Sequence, residues 1–140
     1  MKDVEELKQH AYDVIGALHE VHSVLGPGLN EAVYQEGLEI ELRHRNIPFE
    51  RELTFHPQYK GEEMKTSYRV DFLCKKDIIV ELKSVADLCQ EHRAQLFNYM
   101  RLLNAPVGVL INMASEFAQI ERYFYDREKH RILRPDGSPF

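Results

Sequence analysis

The stretch "APVGVLINM", Ala105 to Met113, is short, almost continuously apolar and rich in β-branched residues. A run of that kind reads as a strand buried on both faces rather than one with a wet side. Such a strand needs a layer above and a layer below it, so the chain must supply helices for both sides of a sheet. It does so. Val4, Leu7, Ala11, Val14, Leu18, Val21 and Leu25 recur at helical spacing, which predicts one amphipathic helix over about residues 3–25, ended at Gly26–Pro27–Gly28. A second helix is expected from about Asn30, a good N-cap, to Arg45, with Val33, Gly37 and Ile40 on its apolar stripe. It stops before Pro48. A third, from about Leu88 to Asn104, carries Cys89, Leu96, Met100 and Leu103 on one side.

Strand-like runs fill the interval between the second and third helices. "FERELTFHPQY" leads into a turn around Lys60–Gly61, "TSYRVDFLC" follows, and "DIIVELKSV" returns after a short link. The tail, with "QIERYFY" and "HRILRP", predicts one or two edge strands. The resulting order, ααβββαβ and then the tail, predicts an α/β domain, a sheet flanked by helices, spanning residues 1–140. At 140 residues and 44% hydrophobic content the chain is sized for a single core.

Composition narrows the function. No apolar run approaches the ~20 residues of a membrane-spanning helix, and "MKDVEELKQHAYDV" has acids where a signal peptide is basic and then apolar. A cytoplasmic protein with no membrane partner is the expectation. Cys74 and Cys89 fit no metal or disulfide framework and are expected as buried, reduced thiols. "HEVH", His19 to His22, lacks the second histidine at position 23 that a zinc protease helix requires, since that residue is Ser23. These histidines, with His44, His56 and His130, read as surface residues. The formal charge of −5, from 23 acids against 18 Lys and Arg, opposes strong nonspecific adhesion to nucleic acid, although a local basic surface stays compatible with it.

Charge placed inside the apolar strands is the exception that points to chemistry. Alternation puts Tyr68, Val70, Phe72 and Cys74 on one face of the first central strand and Arg69, Asp71 and Leu73 on the other. In the second, Ile78, Val80 and Leu82 oppose Ile79, Glu81 and Lys83. Asp71 and Glu81 share a face only if the link between the strands has an odd number of residues. A three-residue link, Lys75 to Asp77, pairs Cys74 with Ile78 and sets Asp71 opposite Glu81. Lys75–Lys76 lacks the Asn or Gly of a two-residue hairpin turn, whereas Asp77 can adopt the left-handed conformation that ends a longer one. Two carboxylates so placed repel unless a cation relieves them. Adding Glu31, the charges of Asp71, Glu81 and Lys83 sum to −2, which suits a divalent ion. Oxygen ligands without His or Cys favour Mg²⁺, with Mn²⁺ as substitute.

"VDFL" followed ten residues later by "VELK" resembles the motif of the PD-(D/E)xK nucleases, with Asp71 as its Asp and Glu81–Leu82–Lys83 as its ExK element. Gly28, Glu31 and Tyr34 in "GLNEAVY" are similar to the GxxExxY signature of a small bacterial and archaeal group within that superfamily. Val70 stands where the superfamily name has Pro, a position without chemistry. The resemblance implies a restriction-endonuclease-like fold, a mixed β-sheet flanked by helices. It implies that Asp71 and Glu81 hold the metal, that Lys83 aids catalysis, and that Glu31 completes the carboxylate set. By the same resemblance Gln95, Tyr99 and Tyr34 are candidate substrate contacts, with His92 on the face that carries Gln95 and Tyr99.

The expected activity is Mg²⁺-dependent hydrolysis of phosphodiester bonds in nucleic acid, with DNA as the first choice of substrate. A domain this small is expected to need a homodimer or protein partner to grip a duplex. Several readings stay open on sequence alone. Asp71, Glu81 and Lys83 also suit a cross-strand ion pair, Glu31 a helix-dipole partner, Tyr34 a core position, and Gln95 with Tyr99 a helix–sheet contact. The whole chain also suits a nuclease-fold module that binds nucleic acid or protein without cutting.

Overall fold

A computed structural model describes residues 3–140. Helix α1 runs Val4–Leu25, started by Asp3, whose side chain accepts from the Glu6 amide at 2.8 Å. Helix α2 runs Glu31–His44. Strand β1 (Phe49–Phe55) is followed by a small hairpin of β2 (Gln58–Tyr59) and β3 (Glu62–Glu63), turning at Lys60–Gly61 as expected. Strands β4 (Tyr68–Cys74) and β5 (Ile78–Lys83), helix α3 (Gln90–Leu103), and strands β6 (Val107–Asn112), β7 (Gln119–Asp126) and β8 (Arg131–Leu133) complete the chain.

Six strands form one mixed sheet in the order β1-β4-β5-β6-β7-β8, in which β5 and β6 are parallel and the other neighbours antiparallel. All six residues of β6 are buried, as its composition required. One apolar layer joins α1 and α2 to Phe72, Val80, Leu82, Val109 and Ile111, and the other joins α3 to Val70, Ile79 and Leu110. Gly108 lets α3 lie against β6, for a Cβ there would overlap Met100 Sδ.

Three local expectations need correction. The buried stripe of α2 is Tyr34, Leu38 and Leu42, whereas Val33 and Ile40 are exposed and Gly37 faces Leu25 and Val21 of α1. His22 is buried, with Nε2 donating to the Ser115 carbonyl at 2.9 Å. Cys89 is only half-buried and sits at the N-cap of α3, where its amide donates to His92 Nδ1 at 3.1 Å. Cys74 is the buried thiol, and burial pushes its pKa up to about 12.

Candidate active site

The link between β4 and β5 decides whether a site can form. It is three residues long, with Cys74 opposite Ile78, Leu73 opposite Ile79 and Phe72 opposite Val80. The register matches the expectation, but its means differ. Lys75 and Lys76 hold the left-handed backbone, at φ 53° and 63°, and the Asp77 amide closes the turn on the Cys74 carbonyl at 3.1 Å. Continued one step, the register sets Asp71 opposite Glu81.

At that step side chains replace the main-chain ladder. The Asp71 amide donates to Glu81 Oε2 at 3.2 Å, and the Leu82 amide donates to Asp71 Oδ2 at 2.9 Å. Each carboxylate thus occupies the main chain of the other's strand, which fixes both. The strands also turn over here. Phe49, Phe72 and Cys74 pack on the α1–α2 side, but Leu53, Phe55 and Val70 pack on the α3 side. A regular strand cannot do this, because residues an even number apart share a face. Glu52, at φ 53°, supplies the break in β1 across from Asp71. The expected common face of Tyr68, Val70, Phe72 and Cys74 therefore does not exist. Tyr68 instead meets Tyr99 and Phe55, each at 5.9 Å between ring centroids.

Glu81 is 3% exposed. Burial, the Asp71 charge and a hydrogen bond with the Asp71 carboxyl push its pKa up to about 9, against smaller opposing effects of the Asp71 amide and Lys83. Buried beside the Asp71 charge, the Glu81 carboxyl resists ionisation, a state that a bound cation relieves. Lys83 Nζ donates to Gln95 Oε1 at 3.3 Å, which brings α3 over the end of β5. Tyr99, one turn further along α3, has its pKa raised by burial and by the Glu81 and Asp71 charges. Asp71, Glu81, Lys83, Gln95 and Tyr99 thus lie together.

Glu31 approaches from the opposite layer. It opens α2, and its Oε1 accepts from the Ser84 amide at 3.3 Å, just beyond Lys83. Ser84 Oγ donates to the Leu29 carbonyl at 2.6 Å. Asn30 stands at the N-cap but makes no side-chain cap bond. Among the described residues no group of three His, Cys, Asp or Glu side chains is placed to hold one metal, so Glu31 stands beside the Asp71–Glu81 pair rather than within it. Tyr34 is fully buried. Its hydroxyl donates to the Gly26 carbonyl at 2.6 Å and accepts from the Leu29 amide at 3.0 Å. Substrate contact by Tyr34 is thereby corrected to a clamp on the loop before α2. Gly28 bends that loop at φ 81°. His92, bonded to its own helix N-terminus, is likewise a cap.

Asn112 was not singled out from the sequence. It is fully buried and pairs with Lys83 across β5 and β6. Its Oδ1 accepts from the Val85 and Ala114 amides at 3.1 and 3.2 Å, and its Nδ2 donates to the Val85 carbonyl and Gln119 Oε1, both at 2.9 Å. It ties the loop after β5 to the loop after β6. The signal was a lone amide ending an otherwise apolar run. Arg93 and Glu121 were also missed. They form a two-point ion pair at 2.6 and 2.7 Å that fastens α3 to β7.

Among solved structures, the crystal structure of SSO0001 is similar in fold, with a TM-score of 0.53 and 23% identity over 65% of this chain. The match covers 48% of that chain, so the present chain spans about half its length. A search of curated proteins finds no match. A family model described as the PD-(D/E)XK nuclease superfamily matches residues 8–123, from α1 through both central strands to β7. With that match over most of its length, the chain belongs to the PD-(D/E)XK nuclease superfamily.

Proposed function

We propose that the protein is a nuclease of the GxxExxY group that hydrolyses phosphodiester bonds, with DNA as substrate and Mg²⁺, or Mn²⁺ in its place, as cofactor. The observation that carries the reading is the interlocked pair of Asp71 and Glu81, one of them almost wholly buried, beside the Lys83 ammonium. A structural ion pair has no use for a second carboxyl that resists ionisation. A divalent-ion site does, and its donors here are hard oxygens. Asp71 and Glu81 would hold the ion. When bound, it supplies Lewis-acid polarisation of the phosphoryl group and lowers the pKa of water.

The chain's own residues do the rest. Lys83, held toward α3 by Gln95, places positive charge where negative charge grows on the phosphoryl oxygens. Glu31 orients the Ser84 amide and, through it, the end of β5. A homodimer or protein partner would extend the surface that meets the substrate. The other reading, a nuclease-fold module that binds without cutting, draws on the acidic balance of the chain and on the position of Glu31 outside the carboxylate pair.

Titration of Mg²⁺ and Mn²⁺ with linear, circular and single-stranded DNA separates the two. Asp71→Asn, Glu81→Gln and Lys83→Ala are each expected to abolish metal-dependent cleavage while circular dichroism reports a folded protein. Full activity in any of them removes that residue from the mechanism.

A further inference from the structure

Phe117 is 80% exposed on the loop between β6 and β7. An isolated exposed apolar residue is commonplace, and a mobile loop would make it more so. This loop is pinned along its length. The Met113 amide donates to the Lys83 carbonyl at 2.8 Å, and the Ala114 amide to Asn112 Oδ1 at 3.2 Å. The Ser115 carbonyl accepts from buried His22 at 2.9 Å, and Ser115 Oγ donates to the Phe117 carbonyl at 2.5 Å. A fixed backbone thus presents a large ring to solvent.

Its place is also specific. Asn112 and Lys83 are paired, so the loop leaves the sheet about 5 Å from the backbone of Lys83, one strand spacing away. Ala114 O lies 4.0 Å from a Cβ built on Gly28, so the loop borders the turn that carries Leu29, itself 38% exposed, and then Glu31. These loops stand at the carboxyl ends of β5 and β6. Across the site, Tyr68 is 41% exposed and edge-on to Tyr99. Glu116 adjoins Phe117 in this loop, and Glu31 opens α2 just beyond the Gly28 turn, carboxylates that repel phosphate. The handle that Phe117 itself offers is an aromatic face for a base.

We propose that Phe117 is a base-stacking residue that holds an unpaired nucleotide next to the catalytic groups, which makes single-stranded DNA, or a frayed end, the preferred substrate. Every base has a π-face to offer an aromatic ring, whereas a base inside a duplex is already stacked on both sides. The assignment rests on the nuclease reading for its location. Its test includes a binding measurement that stands without cleavage.

A fluorescein-labelled single-stranded deoxyoligonucleotide and the blunt duplex of the same sequence are titrated with protein in chelator by anisotropy, and both are assayed for cleavage in Mg²⁺. Phe117→Ala is expected to weaken single-strand binding and lower single-strand kcat/KM by about 5- to 150-fold, the usual effect of losing one stacking partner. Duplex values should stay within about twofold, and Phe117→Tyr should restore the single-strand values. The exposed side chain leaves the melting temperature unchanged, which separates this effect from misfolding. Wild-type values for Phe117→Ala on the single strand, or equal losses on both substrates, overturn the proposal while leaving the nuclease reading intact. The expected binding pattern without any cleavage upholds Phe117 as a stacking residue and removes the nuclease reading. Absence of both binding and cleavage for the wild type overturns both.

Discussion

The Glu81 carboxyl has an ordinary pKa of 4.5 and a folded one of about 9. Its proton is therefore held more tightly by the folded chain than by the unfolded one throughout that interval. The metal-free protein must lose stability from this group as pH rises from about 4.5 toward 9, because the folded state binds more protons there. Glu81→Gln keeps an acceptor for the Asp71 amide but removes the buried negative charge. It is expected to raise the melting temperature in chelator, by an increment that is absent near pH 4 and grows toward pH 9. In excess Mg²⁺ the order should reverse, because only the wild type gains stability from the ion. Thermal melts across pH with and without Mg²⁺ measure both. A lower melting temperature at every pH for the variant would mean that the carboxylate is a structural acceptor and that its charge costs nothing.

At the scale of elements, the start of α2 carries the question of Glu31. A carboxylate in a first helical turn stabilises by about 0.3–1 kcal/mol through the helix dipole alone. Loss of that contribution in Glu31→Gln would leave cleavage intact. An orienting group for a metal site costs about 10- to 100-fold in metal affinity or activity, and that larger loss is the expected result, read from cleavage rate against Mg²⁺ concentration. Full activity at limiting Mg²⁺ would return Glu31 to the dipole. The approach of Glu31 to Ser84 was not legible in residue spacing, since it depends on Gly28 and Tyr34 folding the intervening loop back. The parity of the β4–β5 link was legible, because alternation of side chains makes face a matter of counting. The turnover of β1 and β4 at Glu52 and Asp71 was not, for nothing in the identity of Glu52 announces a left-handed backbone. In α2, apolar residues at 33, 34, 37, 38, 40 and 42 offer two stripes, and only the packing of α1 and the sheet selects Tyr34, Leu38 and Leu42.

For the whole molecule, the formal charge of −5 decides how a nucleic acid can be held. Among the described residues no helix is long and apolar enough to cross a membrane. The ion pairs Lys75–Asp13, Arg51–Glu39, Arg93–Glu121 and Arg45–Glu41 occupy cations of the β4–β5 link, β1, α3 and the end of α2. A protein that neutralises Z phosphates of a single strand shows a slope of about −0.7Z in log K against log salt concentration. With Lys83 at the site and acids around it, contact with two or three phosphates is expected, giving a slope no steeper than about −2. Stacking on Phe117 would carry the salt-insensitive remainder. Anisotropy titrations of single-stranded DNA from low to moderate NaCl measure the slope directly. A slope near −4 or beyond would mean an extended phosphate clamp assembled from cations elsewhere on the surface, and would move the grip from base faces to backbone.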